Sequence, residues 1–114
     1  MRSITKVFKA LSDANRLRIL KMLEVKPMAV CEITSILQLA TSTVSKHLAI
    51  LRDAGFIIDQ KDGKWVNYQL NKANTTEYIA ELHPLVVKWL DDFPNIRNDH
   101  EKALLVDRRV ICGI

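Results

Sequence analysis

The 114 residues of this chain predict a mainly α fold with a small β-hairpin wing: a winged helix-turn-helix with additional terminal helices. Three observations predict that class. Short amphipathic helices lead into a helix over residues 41–54 that has one narrow apolar stripe and a small, polar opposite face. Two β-favouring runs separated by Asp62-Gly63-Lys64 follow it directly. Between them, at Gly55, the hydrophobic period changes from that of a helix to that of strands.

Each element has its own signature. Ile4, Val7, Phe8 and Leu11 stand at i, i+3, i+4 and i+7, which predicts a helix from about residue 3 to residue 11. Ser12-Asp13 offers an N-cap and a first-turn acid for a second helix. That helix points Leu17, Leu20 and Leu23 inward, keeps Arg16, Arg18 and Lys21 wet, and stops at Pro27. A third helix carries Val30, Ile33, Ile36 and Leu37, and Gln38-Leu39-Ala40-Thr41 is the tight connection to the fourth.

In that fourth helix Val44, Leu48 and Leu51 form the stripe, and Ser42, Ser45, Lys46, Ala49 and Asp53 lie opposite. Such a helix can bury one side and lay the other in a major groove, where hydroxyls and a lysine meet base edges and phosphates. Gly55 terminates it as a C′ residue. Runs 56–61 and 65–70 are short and β-favouring, and Asp-Gly between such runs signals a hairpin.

A long helix begins near Thr75-Thr76-Glu77, with Tyr78, Leu82, Leu85, Val86, Trp89 and Phe93 in a wide apolar band. Pro84 is expected to kink or restart it, and Pro94 to end it. The band is broader than a small winged domain covers, so pairing with a second subunit is favoured over packing on its own domain. Asn98-Asp99-His100-Glu101 has capping-box spacing, which predicts a last helix carrying Leu104, Leu105 and Val110. The chain is thus expected to be one domain, 1–114. Residues 29–55 are the helix-turn-helix, 56–70 the wing and 95–114 an extension, with helices 1–11 and 75–93 forming a dimer interface.

Charge and composition narrow the function. The net charge is +4, but residues 1–72 hold 12 Lys/Arg against 6 Asp/Glu while residues 73–114 hold 5 against 7. A basic front and a mildly acidic rear suit a protein that turns one part toward phosphates. No run approaches the roughly 18 apolar residues of a membrane span, and the amino-terminal residues hold no apolar block of signal length, so no membrane partner is expected and the chain reads as cytoplasmic. No nucleophile–base pair, glycine-rich phosphate loop or usefully spaced carboxylate pair appears; Asp91-Asp92 diverge by about 100° on a helix, so an enzyme is not expected. Two cysteines, Cys31 and Cys112, are too few for a disulfide framework; they read as core residues, reactive thiols or metal ligands.

Over roughly residues 4–93 the chain resembles the ArsR/SmtB repressors, closest to their arsenic-responsive group. Phe8 to Leu20 looks like the family's opening signature, Thr41 to Leu48 with Leu51-Arg52-Asp53-Ala54-Gly55 like its recognition helix, and Asp62 to Leu70 like its wing. The resemblance implies a homodimeric repressor that binds double-stranded operator DNA carrying an inverted repeat. It implies that Thr41, Ser42, Thr43, Ser45 and Lys46 read bases or adjacent phosphates, with His47, about 60° from the stripe, orienting more than reading. Arg16 and Arg18 would contact backbone phosphate. Lys61 and Lys64 would reach the neighbouring minor groove, the alternative being a solvated hairpin tip.

Pro27 to Ile33 resembles the segment where arsenic-responsive members carry two cysteines, but Ala29 replaces the first and only Cys31 remains. Soft thiophilic ions want two or three thiolates, so Cys112 is the candidate second ligand. Glu81-x-His83 resembles the first half of the family's zinc or cobalt site; its second half falls near Pro94, where no ligand stands, so that site is not expected. His83 is expected on a helix surface or interface and His100 in solvent. No constitutive cofactor is expected. The leading reading is a repressor released by arsenite, antimonite or another thiophilic ion through Cys31 and Cys112. The alternative is a thiol redox or sulfur switch of the same fold, in which peroxide or polysulfide releases DNA. A third reading, a winged-helix protein-interaction module without an operator, is disfavoured because the polar face lacks apolar anchors.

Overall fold

A computed structural model describes residues 1–72 and 76–112; Thr75 of the expected long helix and Gly113 and Ile114 of the extension lie outside the described residues. The order is α1 Arg2–Leu11, α2 Ala14–Leu23, β1 Met28–Ala29, α3 Val30–Leu37, α4 Thr41–Ala54, β2 Ile57–Asp62, β3 Trp65–Leu70, α5 Glu77–Leu90, α6 Pro94–Leu105 and α7 Arg108–Ile111. The mainly α winged helix-turn-helix read from the sequence is the fold observed.

The core gathers where α2, α3, α4 and the base of the sheet meet. Ile19, Leu20, Met22, Met28, Ile33, Val44, Leu48, Leu51 and Phe56 are all fully buried there. Asp13 caps α2, its carboxylate accepting from the backbone N–H groups of Asn15 and Arg16. Helix α3 ends on Gln38, which adopts the left-handed conformation (φ 56°) and turns the chain sharply into α4. Gly55 (φ 98°) ends α4 in a conformation that calls for glycine, and a Cβ there would also press on Ile79 Cδ1 at 3.0 Å.

Strands β2 and β3 pair antiparallel from Ile57 opposite Leu70 to Asp62 opposite Trp65. Gly63 takes positive φ at the first turn position while Lys64 does not, the pattern of a type II′ hairpin. The short strand β1 adds to the far side of β3, Met28 opposite Tyr68 and Ala29 opposite Asn67. This strand was missing from the sequence reading because two residues carry no period.

The second half of the chain departs from expectation in three places. Helix α5 runs through Pro84 without restarting and ends at Leu90. Pro94 does not merely follow that helix; it occupies the first turn of α6, where its missing N–H costs nothing. The Asn98–Glu101 capping box is therefore helix interior. Its Asp99 is buried against Arg18, and the inner face of α6 is Ile96, Asp99 and Ala103, while Leu104 and Leu105 face outward. Val110 sits on the separate turn α7 and is exposed.

His83 also lies elsewhere than expected, turned toward its own domain. Its ring meets Phe56 edge-on at 5.7 Å, and its Nε2 is buried with no hydrogen-bond partner among the described residues. Burial holds its pKa below the ordinary 6.5, against the opposing pull of the Glu24 charge. A histidine kept neutral in the fold stabilises fully above its unfolded pKa, and that contribution is lost as pH falls toward the folded value. Lowering pH from about 7.5 to about 5.5 is expected to reduce Tm more in the parent than in His83→Leu. Parallel curves for the two proteins would show that His83 does not titrate on unfolding.

Candidate nucleic-acid interface and thiol pair

The recognition face is produced by what α4 hides. Val44, Leu48 and Leu51 have no accessible surface, so the helix cannot roll, and Thr41, Ser42, Thr43, Ser45 and Lys46 stand exposed along the other side. The orientation is braced at both edges. Lys6 of α1 bonds Asp53 at 3.2 Å, and Arg52 bonds Asp59 of β2 at 3.1 Å, joining α4 to the wing. Lys61 and Lys64 are exposed on the hairpin, with the Lys64 ammonium 5.7 Å from the Trp65 ring centre. The exposed hydroxyls, Lys46 and the wing lysines provide donors for phosphate oxygens and base-edge acceptors.

The two arginines expected on phosphate do other work. Arg16 is 8% exposed: Nε donates to Ala10 O at 2.9 Å and Nη2 to Lys9 O at 3.0 Å, which caps the carboxyl end of α1. Its Nη1 lies 3.1 Å from His47 Nδ1. A guanidinium only donates, so Nδ1 accepts and the imidazole proton rests on Nε2. Arg16 thus orients His47, and through it the middle of α4. Arg18 forms a two-pronged pair with the buried Asp99 of α6, at 2.8 and 2.9 Å, and that bond raises its pKa. Both arginines are held by acceptors from other elements, Lys9 O and Ala10 O of α1 for Arg16 and the Asp99 carboxylate of α6 for Arg18.

Cys31 and Cys112 come together within one chain as a disulfide, Cα atoms 5.7 Å apart. No third His, Cys, Asp or Glu joins them to make a metal-binding group among the described residues. Once reduced, the pair offers two thiolates, a suitable donor type at the lower end of the two or three that soft ions want. The Glu81-x-His83 half-site is broken by the inward turn of His83.

The description "Bacterial regulatory protein, arsR family" matches residues 13–59, which span α2 through the first half of β2. Arsenic resistance transcriptional regulator ArsR2 of Pseudomonas putida is 41% identical over 91 residues, 75% of this chain and 78% of the relative. The chain belongs to the ArsR family. Another family member, arsenic resistance transcriptional regulator ArsR1 of the same organism, is 37% identical over 86 residues, 75% of this chain. The match spans little more than half of that relative, 58%. Among solved structures, the homodimeric winged helix-turn-helix DNA-binding domain of a possible ArsR-family transcriptional regulator from Mycobacterium bovis is similar at TM-score 0.66 and 27% identity, covering 82% of each chain. The ArsR relatives are named as regulators, in keeping with a chain that was not expected to be an enzyme.

If Arg18 serves the fold, Arg18→Ala leaves Asp99 buried and unpaired, and is expected to lower unfolding free energy by about 2 kcal/mol in urea titration. The slope of log affinity for duplex against log salt is expected to stay as in the parent. A slope lower by about one, with stability unchanged, would return Arg18 to the phosphate backbone.

Proposed function

We propose that this chain is a homodimeric transcriptional repressor that binds an inverted-repeat operator through α4 and the wing. One observation carries the reading: a helix whose apolar stripe is wholly buried offers a continuous small, hydroxyl-rich face with one lysine, too small and polar for a protein interface and suited to a major groove. In this reading Ser42 and Ser45 discriminate bases, while Thr41, Thr43, Lys46, His47 Nε2 and the wing lysines Lys61 and Lys64 hold the backbone. Twofold pairing is supported by the apolar groove between α1 and α5, lined by Ile4, Phe8, Tyr78, Leu82 and Leu85. Trp89 and Phe93, 62% and 54% exposed, extend that surface. The homodimeric state of the M. bovis domain points the same way.

Release by arsenite or another thiophilic ion at Cys31 and Cys112 is the effector reading. It is supported by the names of the Pseudomonas relatives and by two thiols within chelating reach. A second reading, a redox switch, is favoured by the pairing of the cysteines and the lack of a third donor among the described residues. There a peroxide oxidises one thiol to a sulfenic acid with loss of water, and the second thiol displaces a second water as the disulfide forms.

A duplex selected from a randomised pool by the protein itself tests both levels. Lys46→Ala is expected to weaken binding to every sequence and to lower the salt slope by about one. A parent protein whose duplex affinity ignores salt would overturn the DNA reading. Arsenite added to reduced protein is expected to release the duplex in the parent but not in Cys31→Ser. Indifference to arsenite, with a difference between oxidised and reduced protein, selects the redox reading.

A further inference from the structure

Arg108 spans a gap that neither the fold nor the operator face requires it to span. It lies on the short turn α7, yet its guanidinium sits on the wing. Nη1 donates to Asn67 Oδ1 and Nη2 to Asp62 Oδ2, both at 2.8 Å, and the group lies 4.9 Å from the Trp65 ring centre. Four residues on, the same segment is joined to α3 through Cys31–Cys112. Just before it, Lys26 Nζ donates to Val106 O at 2.6 Å. Within α7 the backbone N–H of Cys112 donates to Arg108 O at 2.9 Å, so the cysteine and the arginine move as one unit.

We infer that residues 107–112 form a strap fastened by the thiol pair at one end, and that Arg108 at the other end is a positioning residue for the wing. This rests on the reading of the wing as an operator contact. The physical case has two parts. Asp62 is the acid beside the hairpin turn, between the wing cations Lys61 and Lys64, and would repel phosphate; Arg108 neutralises it in place. Asn67, Asp62 and Trp65 stand on both strands near the turn, so one guanidinium that bonds or stacks on all three limits the twist of the ribbon tip, which beyond Asn67 has no third strand beside it.

An isolated exposed ion pair holds weakly, and the bridge Arg108–Asp62 alone would not keep a four-residue turn docked. The covalent link to Cys31 supplies the missing constraint, because it keeps α7 at high effective concentration beside the wing. Reduction by a dithiol breaks the S–S bond, leaves Cys31 and Cys112 as thiols and closes the reductant into its own disulfide. The strap then holds by Lys26 and Arg108 alone and spends more time undocked. The sign is therefore opposite to the release on oxidation in the alternative, redox reading of the sequence: the disulfide form carries the better-positioned wing and the tighter grip on DNA.

Two measurements on the full chain test this. In Trp89→Phe protein Trp65 is the sole tryptophan, and its emission is expected to shift to longer wavelength on reduction. In Arg108→Ala on that background it is expected to be already shifted and to ignore reduction. For the selected duplex, reduction of the parent is expected to weaken binding about two- to fivefold, and Arg108→Ala in the disulfide form to match it. The two effects together are expected to be no larger than either alone, with Arg108→Lys in between. Cys112→Ser, which cannot form the link, is expected to behave as the reduced parent. Duplex affinity that is unaffected by Arg108→Ala, or a full response to reduction retained in Arg108→Ala, overturns the strap. If no form binds any duplex, the regulator reading fails, and an unchanged Trp65 spectrum on reduction would then refute the strap on its own.

Discussion

The burial of three side chains on one helix organises this molecule. Val44, Leu48 and Leu51 occupy the centre of a core built from α2, α3 and the base of the sheet, and none retains contact with solvent. Each fully buried aliphatic side chain of this size contributes about 1.5–3 kcal/mol. A rotation of α4 about its axis would forfeit that contribution and bury hydroxyls without partners. The exposure of Ser42, Ser45 and Lys46 is thus not a property of those residues. It is the remainder after the apolar stripe has been satisfied, and every functional statement about the face inherits from that packing.

Around this fixed rod, long-range polar contacts do the bracing. Arg16 joins the end of α1 to His47, Lys6 reaches Asp53, Arg52 reaches Asp59, and Arg18 holds the buried Asp99. The last of these brings α6 back against α2, which in turn delivers α7 to the edge of α3 and the wing. A chain segment that composition marks as an acidic appendage is in this way packed against the winged domain. Its deeply buried acid, Asp99, is the partner of an arginine 81 residues away.

That separation explains what could and could not be read from the residues alone. Helical periodicity located α1 to α4, the Asp-Gly turn located the hairpin, and Asp13 and Gly55 marked helix boundaries, because each of those signals is local. The expectation that Arg16 and Arg18 stay wet failed for two different reasons: a helical wheel sets Arg16 about 40° from Leu20 and about 20° from Leu23, on the buried face, whereas Arg18 lies on the opposite side and meets Asp99 only through the packing of α6. The final helices were misplaced for a related reason. Pro94 reads as a stop in the sequence when it is equally a start, and Asn98–Glu101 matches a cap by spacing while the fold requires Asp99 inside. The meeting of Cys31 with Cys112 has no local signature at all. It follows only once α6 has been laid across α2.

The central claim is the outward aim of the α4 face at a duplex, and lysine labelling read by mass spectrometry tests it residue by residue. With selected duplex bound, Lys46 of α4 and Lys61 and Lys64 of the wing become shielded from acylation, while Lys102 of α6 reacts as in free protein. Shielding of Lys102 with Lys46 still fully reactive would contradict it, and would mean that a different surface meets the nucleic acid.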